Sequence, residues 1–322
     1  MRVEEVAAAT DRYLLRALRG SPASLYGAAS HLVRHGGKRL RPYMVVRSCQ
    51  MLGGTMRGAM PAAAAVEMVH NFTLVHDDMM DNDEVRHGVP TVHEKFGGDA
   101  AILAGDVLFS RAFGALASSR IGPDGVAGMV SRLAGACAEV CEGQQADIEM
   151  GRSGRIPSEA AYVAMISKKT AALFEVSCAM GAISASAPRR DVARLASFGR
   201  NLGIAFQMTD DLMGTVGDSG ATGKPVGNDI REGKKSLPVL LALGAARGAE
   251  RRALRAALGN ARATARQIGS AADVMRSLGV DAEVRRRART YARRAGRSLA
   301  PYGGPARDDL ARLLDRVVER VS

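Results

Sequence analysis

Apolar residues recur at three- and four-residue spacing along nearly the whole chain, the mark of one-sided helices. The pattern predicts helices over 2–18, 23–35, 40–52, 60–81, 98–120, 124–150, 158–186, 189–214 and 235–247, with several shorter ones on to 321. Pro61 suits the first turn of the helix over 60–81. Pro157-Ser158 opens another helix and Pro188 closes it. No two-residue alternation persists, so no strand is expected and the fold class is all-α. Two segments interrupt the pattern. Asp83 to Gly98 holds Gly88, Pro90, Gly97 and Gly98, and Gly217 to Lys235 holds five further glycines or prolines before Gly233. Each follows directly on an acidic cluster. No repeat, low-complexity stretch or linker demands a second domain, so 1–322 reads as one domain.

Composition agrees with packed helices. The 322 residues are 47% hydrophobic but only 4% aromatic, with no Trp. Met1 to Gly20 is charged and amphipathic, unlike a signal peptide, and no window of 18 uncharged apolar residues predicts a membrane span. A cytoplasmic protein without stable membrane insertion is expected. Cys137 and Cys141 lie one helical turn apart but lack further zinc-type ligands, so they and Cys49 and Cys178 read as free thiols in a reducing compartment. The net charge of +12 is carried partly by Arg285-Arg286-Arg287 and Arg293-Arg294. With only Tyr291 and Tyr302 nearby, this reads as a solvated helix face, and no nucleic-acid partner is expected.

The chemistry concentrates elsewhere. Asp77, Asp78, Asp81 and Asp83 fall within seven residues at the end of an apolar helical run, and Asp210-Asp211 follows a second run. Crowded carboxylates repel, and acidic groups at a helix C-terminus oppose its dipole, so a cation is called for. Hard oxygen ligands with open positions suit Mg²⁺, and two such clusters facing each other would clamp a diphosphate. Asp77 and Asp81 share one helix face with Thr73 and His70. Gln207, Asp210, Asp211 and Gly214 form one stripe, with no ligand at its fourth position. Basic groups bracket both clusters: Lys38, Arg39 and Arg41 after the Gly36-Gly37 turn, Arg86-His87, Lys168-Lys169-Thr170, and Lys224, Lys234 and Lys235. Any one of these alone would pass for solvated charge.

Taken in order, Gly-Gly-Lys-Arg-Leu-Arg-Pro (36–42), His-Asp-Asp-Met-Met-Asp (76–81), Leu-Ala-Gly-Asp (103–106), Glu-Gly-Gln (142–144), Lys-Thr-Ala (169–171), Phe-Gln-Met-Thr-Asp-Asp (206–211) and the run from Gly223 to Pro238 resemble the trans-isoprenyl diphosphate synthases of the polyprenyl synthetase family. The resemblance implies a helical bundle around a deep central cavity, usually a homodimer. It implies condensation of isopentenyl diphosphate with an allylic diphosphate (dimethylallyl, geranyl or farnesyl). Asp77, Asp81 and Asp210 would hold two or three Mg²⁺ ions. Asp78, Asp211 and Lys169 would join them in the catalytic set. Arg86, Lys169, Thr170, Gln207, Lys224 and Lys234 would contact the allylic diphosphate. Lys38, Arg41, His70 and His87 would hold isopentenyl diphosphate.

Two positions depart from the family pattern. Gly214 stands where many members carry a third Asp, although archaeal-type members also have Gly there. His87 stands where many have a second Arg. Phe72, five residues before Asp77 and about 7.5 Å deeper by helical rise, and Thr73 are the expected chain-length residues. One aromatic at this place resembles geranylgeranyl (C20) synthases of the archaeal type, with C15 or C25 as the alternatives. A terpene cyclase would lack Lys38, Arg41 and the Lys-rich loop. A non-catalytic regulatory subunit would typically have lost acidic residues that this chain keeps.

Overall fold

The computed structural model describes residues 2–216 and 228–319. Helices follow one another through them: α1 (Val3–Ala17), α2 (Ala23–Ala29), α3 (His31–Arg34), α4 (Leu40–Met51), α5 (Met56–Asp81), α6 (Val92–Phe96), α7 (Gly98–Ala117), α8 (Pro123–Arg152) and α9 (Glu159–Ile166). A π-helical turn, Ser167–Ala171, leads into α10 (Ala172–Ser184) and α11 (Arg189–Val216). Then come α12 (Asn228–Glu232), α13 (Leu237–Ala245), α14 (Gly248–Ala257), α15 (Ala265–Ser277), α16 (Val280–Leu299) and α17 (Pro305–Glu319).

The all-α expectation holds apart from one small hairpin, β1 (Val85–Arg86) against β2 (Val89–Pro90), in the segment expected to be loop. Its two turn residues, His87 (φ 53°) and Gly88 (φ 76°), are both left-handed. That is the turn whose twist matches paired strands. His-Gly is a weaker signal for it than Asn-Gly, and Pro90 argues against a strand, so the sequence pattern hid it.

Helix starts differ where caps outrank proline. α5 begins at Met56 because the Thr55 hydroxyl accepts from Gly58 N at 3.1 Å. Pro61 therefore lies inside the helix rather than in its first turn. The helix ends where Asn82 turns left-handed (φ 52°), with its N–H on the Asp78 carbonyl. The stretch expected as one helix over 23–35 breaks between α2 and α3 at Ser30.

The chain falls into two compact units. The first is Met1–Cys137, Leu173–Gly199 and Pro301–Leu310. Its core is built on α5, whose Ala62 to Val66 are all buried, packed by α4 and α7. A buried pair, Arg47 with Asp309 at 2.5 Å, ties α4 to the start of α17. The second unit is Ala138–Ala172, Arg200–Ala300 and Ala311–Ser322. Met208, Leu212, Ile230, Leu237, Leu254, Met275 and Val284 lie in its core. Among the described residues α7 is the one helix long and apolar enough to cross a membrane by length and composition. It carries Asp99, Asp106 and Arg111. All four cysteines are free thiols.

Candidate active site

In the first unit, the end of α5 and the hairpin after it bring the first acidic cluster against Arg86. Asp78 is fully buried, and its Oδ1 accepts from Arg86 Nε at 2.8 Å and from Arg86 Nη2 as well. Arg86 Nη2 also reaches Asp83 Oδ2 at 3.2 Å. Burial opposes the charge on Arg86, but the hydrogen bonds to Asp78 and the charges of Asp78, Asp83 and Asp77 outweigh it and raise its pKa. Part of the cation demanded by the acidic helix end is thus Arg86 itself. Asp77 is half-buried and Asp81 exposed, one turn apart on a different side of the helix from Asp78. The structure separates the roles: Asp78 anchors Arg86, while Asp77 and Asp81 share the face suited to metal.

The basic residues expected to hold isopentenyl diphosphate converge electrostatically. The pKa of His70 is driven well below 6.5 by burial first, and then by the charges of Arg41, Arg39, Arg86 and His87. The Arg41 guanidinium lies 4.8 Å over the Phe174 ring. Its Nε is enclosed without a hydrogen-bond partner. Burial pushes the Arg41 pKa down to about 10 against the pull of Glu67. A cation held dry with an unused donor is prepared for an anionic ligand. His87 is exposed at the hairpin turn; burial of its ring, Arg86 and Arg39 lower its pKa, so it is a neutral hydrogen-bonding group near pH 7. Lys38 is exposed.

Phe72 is half-buried in a row of aromatic rings: His76 at 4.7 Å, Phe109 of α7 at 5.4 Å, and Phe113 at 5.1 Å from Phe109. Of these rings the sequence points to Phe72, beside Thr73, as a chain-length residue; Phe109 and Phe113 are four apart on α7 and join it only through packing. The Thr73 hydroxyl is spent on the His70 carbonyl at 2.8 Å.

In the second unit, the π-helical turn carries Lys168, Lys169 and Thr170. Such turns inside helices cluster at functional sites. Gly143 of α8 makes room for it: a Cβ there would stand 2.2 Å from the Lys169 backbone nitrogen. Lys169 Nζ donates to Asp147 Oδ2 at 2.5 Å. A hydrogen-bonded chain then runs from Thr170 Oγ1 to Gln207 Oε1 (2.8 Å), from Gln207 Nε2 to Asp211 Oδ1 (2.7 Å), and from Tyr162 OH to Asp211 Oδ2 (2.6 Å). Burial raises the Asp211 pKa to about 7, with Tyr162 and Gln207 opposing and Asp229 and Asp210 adding to the rise. Asp211 therefore positions Gln207 and Thr170, while its neighbour Asp210 is exposed.

The empty fourth place of the stripe is filled from elsewhere. A Cβ on Gly214 would stand 2.3 Å from Asp229 Oδ2, so the Asp229 carboxylate of α12 occupies the space a longer side chain would need. Lys234 Nζ lies 3.6 Å from Asp229 and 3.2 Å from Glu232. Asp229, Tyr162 and Asp147 were not singled out from the sequence. Asp229 alone left a trace there, in the matched run Gly-Asn-Asp-Ile. Lys224 and most of its loop lie outside the described residues.

Among the described residues no three His, Cys, Asp or Glu side chains form a ready cage for a cation. That donor set still fits Mg²⁺, which keeps several waters and binds through one or two carboxylates plus substrate phosphates.

Residues 22–275 match the polyprenyl synthetase family model. The geranylgeranyl diphosphate synthase of Sulfolobus acidocaldarius is 42% identical over 265 residues, 81% of this chain and 80% of that protein. The crystal structure of a geranylgeranyl pyrophosphate synthetase from Pyrococcus horikoshii superposes with a TM-score of 0.92 at 37% identity, covering 99% of this chain and 97% of the other. A polyprenyl synthase from Caulobacter crescentus, solved with calcium and isoprenyl diphosphate, superposes with a TM-score of 0.90 at 32% identity over 99% and 96% of the two chains.

Proposed function

Because the chain belongs to the polyprenyl synthetase family, we propose that it is a trans-prenyltransferase that joins isopentenyl diphosphate to allylic diphosphates and stops at all-trans geranylgeranyl diphosphate. The observation that carries the reading is Arg41, packed over Phe174 with an enclosed Nε that has no hydrogen-bond partner, whose charge acts on His70 together with those of Arg39 and Arg86. Guanidinium cations acting on a neutral imidazole, on the same helix as the metal-type carboxylates of α5, suit a diphosphate that is held and does not leave. A cyclase has no use for it.

Asp77, Asp81 and Asp210 would hold Mg²⁺, which when bound supplies charge stabilisation to the departing diphosphate. Arg86, held by Asp78, and Lys169, Thr170 and Gln207, held by their own partners, would bind the allylic diphosphate oxygens. As the C–O bond breaks, these fixed donors meet the charge that develops on the leaving group. The double bond of isopentenyl diphosphate then attacks the allylic cation, and a proton is lost to the released diphosphate. Arg41, His70, His87 and Lys38 orient that second substrate.

Phe72, backed by Phe109 and Phe113, supports a stop at C20. Ile102 and Leu103 of α7, about half exposed at 47% and 53%, support a homodimer formed through that helix. Four free thiols support a reducing, cytoplasmic setting.

The test is product analysis with Mg²⁺, labelled isopentenyl diphosphate and, separately, C5, C10 and C15 allylic diphosphates. A dominant C20 product is expected. A longer or shorter product keeps the enzyme and discards the Phe72 argument. No product with any starter points to a subunit that needs a partner chain.

A further inference from the structure

We propose that Arg39 is the positioning residue of the isopentenyl diphosphate pocket: it does not touch the substrate but sets the turn that presents Lys38 and Arg41. This rests on the reading of Lys38 and Arg41 given above. Within Gly-Gly-Lys-Arg-Leu-Arg-Pro the three cations have different surroundings. Lys38 is exposed, Arg41 half-buried, and the Arg39 side chain only 3% exposed.

Arg39 uses its guanidinium fork on three elements at once. Nε donates to Asp11 Oδ1 of α1 at 2.7 Å, Nη1 to Glu67 Oε1 of α5 at 3.0 Å, and Nη2 to the Val33 carbonyl of α3 at 2.7 Å. Glu67 is itself 2% exposed and is steadied by Asn71, whose Nδ2 donates to the Glu67 carbonyl at 2.8 Å.

The backbone shows what this network is for. Arg39 stands at φ 47°, a left-handed conformation that a long side chain adopts at a cost. It is the N-cap of α4, and its carbonyl accepts from Tyr43 N at 3.0 Å. Fixing Arg39 therefore fixes the first turn of α4, where Arg41 is the second residue. Gly37 is shaped to the same purpose. A Cβ there would stand 2.5 Å from Arg39 Nη1, so the guanidinium passes directly over the glycine turn. Glu67 also acts electrostatically on Arg41, joining the anchor to the cation it presents. A lysine cannot replace this fork, because a single ammonium lacks three fixed donor directions.

The experiment is steady-state kinetics on the full chain with each substrate varied in turn, beside thermal melts, for Arg39→Lys, Asp11→Asn and Arg41→Lys. Arg39→Lys is expected to raise KM for isopentenyl diphosphate about 10-fold or more, with KM for the allylic substrate within about twofold of wild type. Asp11, 37% exposed at the edge of the network, provides the variant that folds if Arg39→Lys does not. Asp11→Asn is expected to shift the same constant in the same direction by about threefold. An unchanged KM for isopentenyl diphosphate in a folded Arg39→Lys or Asp11→Asn protein, or an equal loss for both substrates, overturns the proposal. If Arg41→Lys alone leaves that KM unchanged, the pocket reading falls and the positioning role falls with it. If Arg41→Lys raises it while Arg39→Lys does not, only the positioning role is lost.

Discussion

Asp77 and Asp78 are neighbours in sequence with opposite surroundings. Asp78 is buried and bound to Arg86, whereas Asp77 is half-buried on the face it shares with Asp81. Substituting each should therefore fail differently. Asp77→Ala is expected to lower kcat by about 10³-fold or more while melting like wild type. Asp78→Ala takes from Arg86 its buried partner and leaves it Asp83, and is expected to lose roughly 3 kcal/mol of stability as well as activity. Melting curves beside turnover numbers separate the two, and identical behaviour would undo the division of roles. His70 gives a pH signature. Its folded pKa is depressed, so its contribution is present above the unfolded value of 6.5 and is lost as pH falls through the folded value. Wild type should lose melting temperature relative to His70→Gln between pH 6.5 and 5, with a constant difference above pH 7. A constant difference over the whole range would mean that His70 is not buried among cations. These environments are invisible in the sequence. The cluster of carboxylates can be read from spacing, but which member meets Arg86 depends on a left-handed turn at His87-Gly88.

Elements were legible where a long apolar stripe defined them, and their details were not. The helices over 98–117, 123–152 and 189–216 fall within a few residues of the pattern, because each buries one continuous face. α5 starts four residues earlier than its proline suggests, since the Thr55 cap outweighs the preference of Pro61 for a first turn. The π-helical turn at 167–171 was hidden within one expected helix, because an extra residue per turn leaves no compositional trace. It is accommodated by another element at Gly143, where α8 approaches the Lys169 backbone too closely for a side chain. Gly143→Ala is expected to cost about 1–3 kcal/mol through overpacking and to lower kcat, since Lys169 and Thr170 ride on the displaced turn. Denaturant unfolding and kinetics on the same variant check both effects. Wild-type values for both would show that the turn owes its shape to something else. The packing of α12 against α11 makes a parallel case. Gly214 had looked like a missing ligand, yet the Asp229 carboxylate stands in the vacated space. Gly214→Asp should therefore reduce activity by crowding one carboxylate against another. An increase, read in the same assay, would instead return the empty place to Gly214.

At the scale of the whole molecule, no linker interrupts the sequence, and the chain reads as one domain. Contacts within the chain group it into two compact units, and it crosses between them inside α8, α10, α11 and α17 and once at Ala300–Pro301, in the connection between α16 and α17. The crossings within helices leave no Gly- or Pro-rich mark in the sequence, and the one at Ala300–Pro301 falls beside Gly303-Gly304-Pro305. The two buried cores consist of apolar side chains, and the carboxylates assigned to metal, Asp77, Asp81 and Asp210, lie outside them at half-buried or exposed positions. Folding should therefore be independent of magnesium, while ligand binding should not be. Removing the metal with chelator is expected to abolish turnover and leave the melting temperature unchanged. Magnesium together with inorganic diphosphate at about 100 times its Kd should stabilise the folded protein by about 2.7 kcal/mol. With an unfolding entropy of about 2.1 cal/mol/K per residue, a chain of this length would melt roughly 4 °C higher. Diphosphate without metal, or metal without diphosphate, should raise it much less, because the carboxylates and the phosphate oxygens repel one another until a cation lies between them. A full shift with diphosphate alone would mean that Arg86, Lys169 and their neighbours bind it unaided. A large fall in melting temperature on chelation would mean that metal holds the fold together, against the placement of every carboxylate assigned to it.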